Sequence, residues 1–169
     1  MISLAALAGA LVFSAPAQSQ AAVSTEISSA LAIAKSSNKN QVHYAVQVDD
    51  ACAPAGPAPV RPYWRMLEKS SDATEPLGGM EQRAFGIARQ DVEGADVHIA
   101  LRALPARPIT IHTLRGDDGK CTSSASVTIN GAAARIDNVF VKLKLFGVDY
   151  VQLTGIASDG SVVRERLKV

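Results

Sequence analysis

Val127-Thr128-Ile129-Asn130-Gly131-Ala132-Ala133-Ala134-Arg135-Ile136-Asp137-Asn138-Val139-Phe140-Val141-Lys142-Leu143-Lys144-Leu145 is the stretch whose reading decides the fold. Val127 and Ile129 flank Thr128 in the period of two that sends successive side chains to opposite faces of a strand. Asn130-Gly131 then supplies two residues that tolerate positive φ, as a type I′ hairpin turn requires. Beyond the turn, Ala132, Ala134 and Ile136 share one parity, while Val139, Val141, Leu143 and Leu145 share the other. A strand changes face only by inserting a residue, so the shift predicts a bulge or tight turn at Asp137-Asn138.

The same period extends outward in both directions. Downstream, Val148 to Ile156 and Val162 to Val169 read as strands joined through Ser158-Asp159-Gly160. Upstream, Leu31 and Ile33, then Val42, Tyr44, Val46 and Val48, form a hairpin broken by residues 36–40. Residues 53–59 hold three prolines and a glycine and read as a loop. Val60 to Leu67 reads as a strand that Pro62 pushes toward an edge, and residues 72–79 read as irregular. Met80 to Gly86 carries good helix formers with Gly86 as a stop. Val97, Ile99 and Leu101 alternate, Leu104-Pro105-Ala106 reads as a turn, Ile109 and Ile111 follow Pro108, and residues 115–119 form a polar turn.

These segments predict an all-β fold, an antiparallel sandwich or meander barrel of about nine or ten short strands, with one short helix near residues 80–86. A parallel α/β fold does not suit a chain with no long amphipathic helices between its strands.

The chain has 169 residues and a net charge of +1, yet its first charged residue is Glu26. Residues 1–22 are mostly apolar, with small residues at Ala15-Pro16-Ala17 and Ser19-Gln20-Ala21. This is the pattern of a secretory signal peptide, cut after Ala17 or after Ala21 or Ala22, although its start carries no Lys or Arg. Residues 23–169 then form a single β domain that is exported to the periplasm or secreted. No other long apolar run exists, so no transmembrane span is expected in the mature chain. The near-neutral balance argues against nucleic acid as a partner.

Two cysteines, Cys52 and Cys121, stand 69 positions apart in loop-like contexts without C-x-x-C spacing. In an oxidising compartment one disulfide is the economical reading; two free thiols or half of a metal site are the alternatives.

Lys35-Ser36-Ser37-Asn38-Lys39-Asn40 with Val42 and Tyr44, Pro62-Tyr63-Trp64-Arg65-Met66-Leu67-Glu68-Lys69, Glu75-Pro76-Leu77 and Glu81-Gln82-Arg83-Ala84-Phe85-Gly86-Ile87 follow one another in order. With Ile129-Asn130-Gly131, Asp149-Tyr150-Val151, Gly155 and Glu165, this series resembles the bacterial domain-of-unknown-function family 4833 over residues 28–168. The chain departs from that pattern at Ala34-Lys35, where a charged pair is expected, and at Phe85, where a tyrosine is. The resemblance implies a single secreted domain and supplies no activity.

Common catalytic motifs are absent: no G-x-S-x-G, H-E-x-x-H, Walker A or G-x-G-x-x-G occurs. His43, His98 and His112 lie on the polar parity of their strands. A three-residue turn at 104–106 would set His98 across from His112, the weak candidates for a metal; the usual fate of such histidines is solvation, and no cofactor is expected. Glu165 shares the parity of Val163 and Leu167, and an inward carboxylate is costly unless paired, with Arg65 or Arg83 as candidate partners. Tyr63, Trp64, Arg65, Arg83, Phe85 and Glu165 are therefore the candidate binding residues, an aromatic pocket with a polar anchor. Lys142, Lys144, Arg164, Arg166 and Lys168 share a face that could meet a polyanion.

The function expected is a non-catalytic ligand-binding or envelope interaction module whose partner is an unknown small ligand or envelope component. The alternatives are an enzyme of unfamiliar type using Glu165 with an arginine and a histidine, or a purely structural envelope protein.

Overall fold

The computed structural model describes residues 27–35, 39–69 and 73–169. The apolar leader expected over residues 1–22 lies outside the described residues. Eleven strands and one helix follow in chain order: β1 (Ile27–Lys35), β2 (Gln41–Gln47), β3 (Val60–Arg65), β4 (Thr74–Pro76), α1 (Gly79–Phe85), β5 (Ile87–Glu93), β6 (Asp96–Leu101), β7 (Leu104–Arg115), β8 (Cys121–Ile129), β9 (Ala132–Lys144), β10 (Gly147–Ala157) and β11 (Val162–Lys168).

The β8–β9 hairpin closes at Asn130 (φ 48°) and Gly131 (φ 82°), with Ile129 paired to Ala132. Along β9, Ala134 is buried on one side of the parity shift and Val139 and Val141 on the other, while Asp137 and Asn138 are exposed between them. The partner strand fixes the extra residue: Thr154 of β10 faces Asn138 but Gly155 faces Ile136, so Asp137 bulges out. The bulge is where β9 changes partners on its other edge. Ala132–Arg135 pair with β8, and Val139–Val141 pair in parallel with β1.

β9 thus joins two runs of strands in the order β4-β3-β2-β1-β9-β8-β7-β6-β5, with β10 and β11 continuing from its second edge. β4 and β5 end the ladder without pairing to each other, so the sheet is open, and the parallel β1–β9 pair makes it mixed; the arrangement is sandwich-like rather than a closed barrel. The inner faces share one core, in which Val42, Tyr44 and Val46 of β2, Ile99 of β6, Ile109 and Ile111 of β7, Ile129 of β8, Val139 of β9 and Leu153 of β10 are almost wholly buried. Among the described residues, no buried side-chain nitrogen or oxygen lacks a hydrogen-bond partner, as a well-ordered interior requires.

Two expectations change, and one strand joins those read from the sequence. Thr74–Pro76, read as irregular, forms the short outer strand β4 against Tyr63–Arg65, and Pro62 lies just past the stretch of β3 that it covers. Ile87–Glu93, which has no apolar alternation, is the edge strand β5; its charged, exposed side chains blunt that edge against further pairing. The turn between β6 and β7 falls at Arg102-Ala103, not at Leu104-Pro105-Ala106, because Leu101 pairs with Leu104. The prolines are accommodated in a bulge of β7 between that pair and Ile99–Ile109.

Cys52 and Cys121 form a disulfide with their Cα atoms 5.5 Å apart. It ties the loop after β2 to the first residue of β8. Asp49 shapes the loop end, its Oδ1 accepting from the backbone N–H groups of Ala51 and Ala53 at 2.9 Å each.

Candidate functional site

β3 turns Trp64 inward, 6% exposed, and its ring meets Phe85 edge-on with centroids 5.6 Å apart. Phe85 is the buried anchor of α1, a helix too short to stand without tertiary contacts. Its carbonyl accepts from the Tyr44 hydroxyl in the core. Burial pushes the Tyr44 phenol well above its ordinary value, so it remains the donor. Beyond the helix, the Arg102 N–H donates to the Gly86 carbonyl at 2.9 Å, which fixes α1 against the β6–β7 turn.

Opposite α1 stands the β9–β10 hairpin, whose two-residue turn is Leu145-Phe146, closed by the Lys144–Gly147 pair. Between helix and hairpin lies a cleft of about 390 Å³. Its floor is Trp64, Phe85, Ala103 and Val148, all buried. Its lips are apolar and open to water: Met80 is 81% exposed, Leu145 87% and Phe146 89%. Arg83, Arg102 and Lys144 also line it, against a single acidic side chain, Glu81. An apolar floor with an excess of cations favours a ligand with an apolar body and an anionic head.

The family model for the domain of unknown function DUF4833 matches residues 31–166, a span that includes α1, the floor and the hairpin tip. The chain belongs to the DUF4833 family. No curated protein and no solved structure matches it.

The DUF4833 domain brings together three of the six candidate binding residues, Trp64, Phe85 and Arg83, in this cleft. Tyr63 and Arg65 lie on the opposite face of β3, across from His43 and Gln41 of β2. There the Tyr63 ring stacks on His43, centroids 5.6 Å apart and planes at 27°. His43 is buried although it faces outward: its Nδ1 is 2.8 Å from Ser29 Oγ and its Nε2 3.1 Å from Gln41 Oε1. With Gln41 Oε1 accepting, Nε2 carries the proton and Nδ1 accepts from the serine hydroxyl.

Burial, and secondarily the charge of Arg65, lower the His43 pKa below its ordinary 6.5. As pH falls through 6.5, the unfolded chain binds a proton at this position before the folded domain does. His43 is therefore expected to cost stability progressively below that pH, until the folded-state value is passed. Urea unfolding from about pH 8 to about pH 5 should show wild type losing stability relative to His43→Gln. Parallel curves would contradict the assignment.

Glu165 faces inward, opposite Leu153 of β10, but its partner is neither Arg65 nor Arg83. Arg107 Nη2 donates to Glu165 Oε1 at 2.7 Å, and Arg107 Nη1 donates to the Thr128 carbonyl at 2.9 Å. Glu165 Oε2 accepts from the Asn130 N–H at 2.9 Å, and Asn130 Nδ2 donates to the Arg164 carbonyl at 2.8 Å. The carboxylate is thus a clamp on the Asn130-Gly131 turn, and Glu165 is not among the residues that line the cleft. The arginine that Glu165 meets is Arg107 rather than Arg65 or Arg83. Glu165→Gln is expected to destabilise the domain by about 1–2 kcal/mol, because the pair is only partly shielded from water. Faster amide exchange at Asn130 would accompany the loss; an unchanged Asn130 would rule out the clamp.

His98 and His112 do share a face, but in another register. His98 faces Thr110, with Nδ1 3.0 Å from its Oγ1, and His112 faces and contacts Asp96. Among the described residues, no group of three or more His, Cys, Asp or Glu is placed to hold a metal ion.

Met80, Arg102, Leu145 and Phe146 are among the cleft residues that are not binding candidates in the sequence. The signal for two of them is present in Lys144-Leu145-Phe146-Gly147, where two large apolar residues occupy a turn that ordinarily takes polar ones.

Proposed function

We propose that this DUF4833 domain is an exported, non-catalytic binding module whose cleft takes a small amphipathic anion, an alkyl or aryl body with a carboxylate or phosphate head. The observation that carries this reading is the pairing of a buried Trp64–Phe85 floor with lips left open to water and three cations at the walls. Exposed large apolar side chains gathered around a concavity mark a binding surface more often than scattered ones do. The disulfide and the apolar leader support export to an oxidising envelope compartment. No helix among the described residues is long and apolar enough to cross a membrane.

Trp64 is the only tryptophan, so its emission reports on the cleft floor. Dodecanoate, added below its micelle concentration, should change that emission saturably with a Kd below about 1 mM. Replacing both Arg83 and Arg102 with Glu should weaken binding at least about tenfold, the equivalent of one charge-assisted contact, with the melting temperature retained. A linear, unsaturated response in wild type would remove the reading.

A further inference from the structure

The net charge of +1 conceals a segregation. Asp91, Glu93 and Asp96 lie on one face of β5 and β6 beside His98 and His112. Five basic residues, Lys142, Lys144, Arg164, Arg166 and Lys168, share the outer face of β9, β10 and β11, where cross-strand pairing sets Lys142–Tyr150–Lys168 in one row and Phe140–Gln152–Arg166 in the next. The Arg166 guanidinium lies 4.4 Å over the Tyr150 ring and donates to Gln152 Oε1 at 3.1 Å, so this face is ordered. Lys144 carries it to the hairpin turn, where Leu145 and Phe146 project with almost their whole surface in water. Glu81 and Asp149 are acidic side chains near this end of the domain, and the last residue, Val169, also lines the cleft.

An apolar tip flanked by lysines suits neither bulk water nor a purely polar partner. Leu and Phe side chains gain by entering the boundary between headgroups and acyl chains, and lysines beside them gain from anionic headgroups. We propose that the β9–β10 tip docks this domain on an anionic lipid leaflet. Leu145 and Phe146 enter at headgroup depth, and Lys142, Lys144 and Lys168 meet the lipid phosphates. The cleft opens between the same lips, so a docked domain would present it to the leaflet. The docking does not depend on what fills the cleft.

The test uses the disulfide-bonded protein without its apolar leader, carrying Phe146→Trp, which places a reporter at the tip in addition to the native Trp64. With vesicles containing phosphatidylglycerol, the added emission should shift to the blue and be quenched by brominated acyl chains; with pure phosphatidylcholine both effects should be weak. Lys142→Glu and Lys144→Glu should each weaken vesicle binding roughly fivefold, and added salt should weaken it further. A tip emission unmoved by phosphatidylglycerol vesicles would overturn the proposal, as would equal shifts on both lipids. A shift that grows with protein concentration alone would assign the tip to a second copy of the chain, and binding to soluble polyphosphate without vesicle insertion would assign the basic face to a polyanion. Dodecanoate binding without vesicles reads the cleft separately, so either idea can fail alone.

Discussion

Reduction of the Cys52–Cys121 disulfide is expected to remove about 4 kcal/mol of stability, the chain-entropy value for a loop of this length. The bond closes a separation of 69 residues that includes β3 to β7, so the reduced, unfolded chain regains a large share of its freedom. Few other polar contacts hold the same junction: Arg115 donates to the Asp50 carbonyl from one guanidinium nitrogen and to the Gly119 carbonyl, at 2.5 Å, from the other. The paired variant Cys52→Ser/Cys121→Ser should therefore melt roughly 8–16 °C lower than wild type, taking about 2–4 °C per kcal/mol for a domain of this size. A loss below about 1 kcal/mol would mean that the loop is held by contacts other than the bond.

Gly155→Ala is expected to cost about 2–3 kcal/mol, as overpacking a tight interior does. A Cβ on Gly155 would sit 2.7 Å from the Arg135 carbonyl oxygen, 2.9 Å from Ile129 Cδ1 and 3.1 Å from Ala134 Cβ. The first contact is with backbone in the paired strand, which no rotamer change relieves. Gly155 faces Ile136 immediately beside the Asp137 bulge, so the same close approach that lets β9 change partners forbids a side chain here. Adding Ile129→Val removes the Cδ1 contact alone and should recover only part of the loss. Full recovery would show that the carbonyl contact yields easily, and the bulge would then not be the reason for the glycine.

The sequence carried the most information where burial enforces parity. The Asn130-Gly131 turn and the face change at Asp137-Asn138 were legible because slipping by one residue would move every Val and Leu of β9 from core to water. Edge strands obey no such rule. β5 presents Arg89, Gln90, Asp91 and Glu93, and β4 is Thr-Glu-Pro, so neither leaves an apolar stripe to read. Pro105 and Pro108 resemble loop residues, which sets the expected β6–β7 turn too far along the chain. They instead occupy a bulge, where five steps along β7 match two along β6.

The same local irregularity explains the site. The inward parity of Glu165 was readable, but its partner Arg107 lies in that bulge, where period-two reasoning assigns no face. Trp64, Phe85 and Arg83 were found through the motif blocks that hold them. Leu145 continues the stripe of β9 in sequence although it lies in the turn, since a strand pattern does not reveal where its turn begins. The face carrying Tyr63 and Arg65 separates from the cleft for the reason that alternation predicts: adjacent residues on one strand point to opposite sides.

The central claim, that the cleft of this DUF4833 domain binds an amphipathic anion, is tested most directly by following backbone, methyl and indole N–H resonances while dodecanoate is added to the oxidised protein. Binding predicts saturable shifts at Trp64, Ala84, Ala103, Val148 and the Leu145-Phe146 turn, with one common Kd, while Tyr63, His43 and the Glu165 clamp stay fixed. Shifts that never saturate, or that spread evenly over both faces of the sheet, would contradict it.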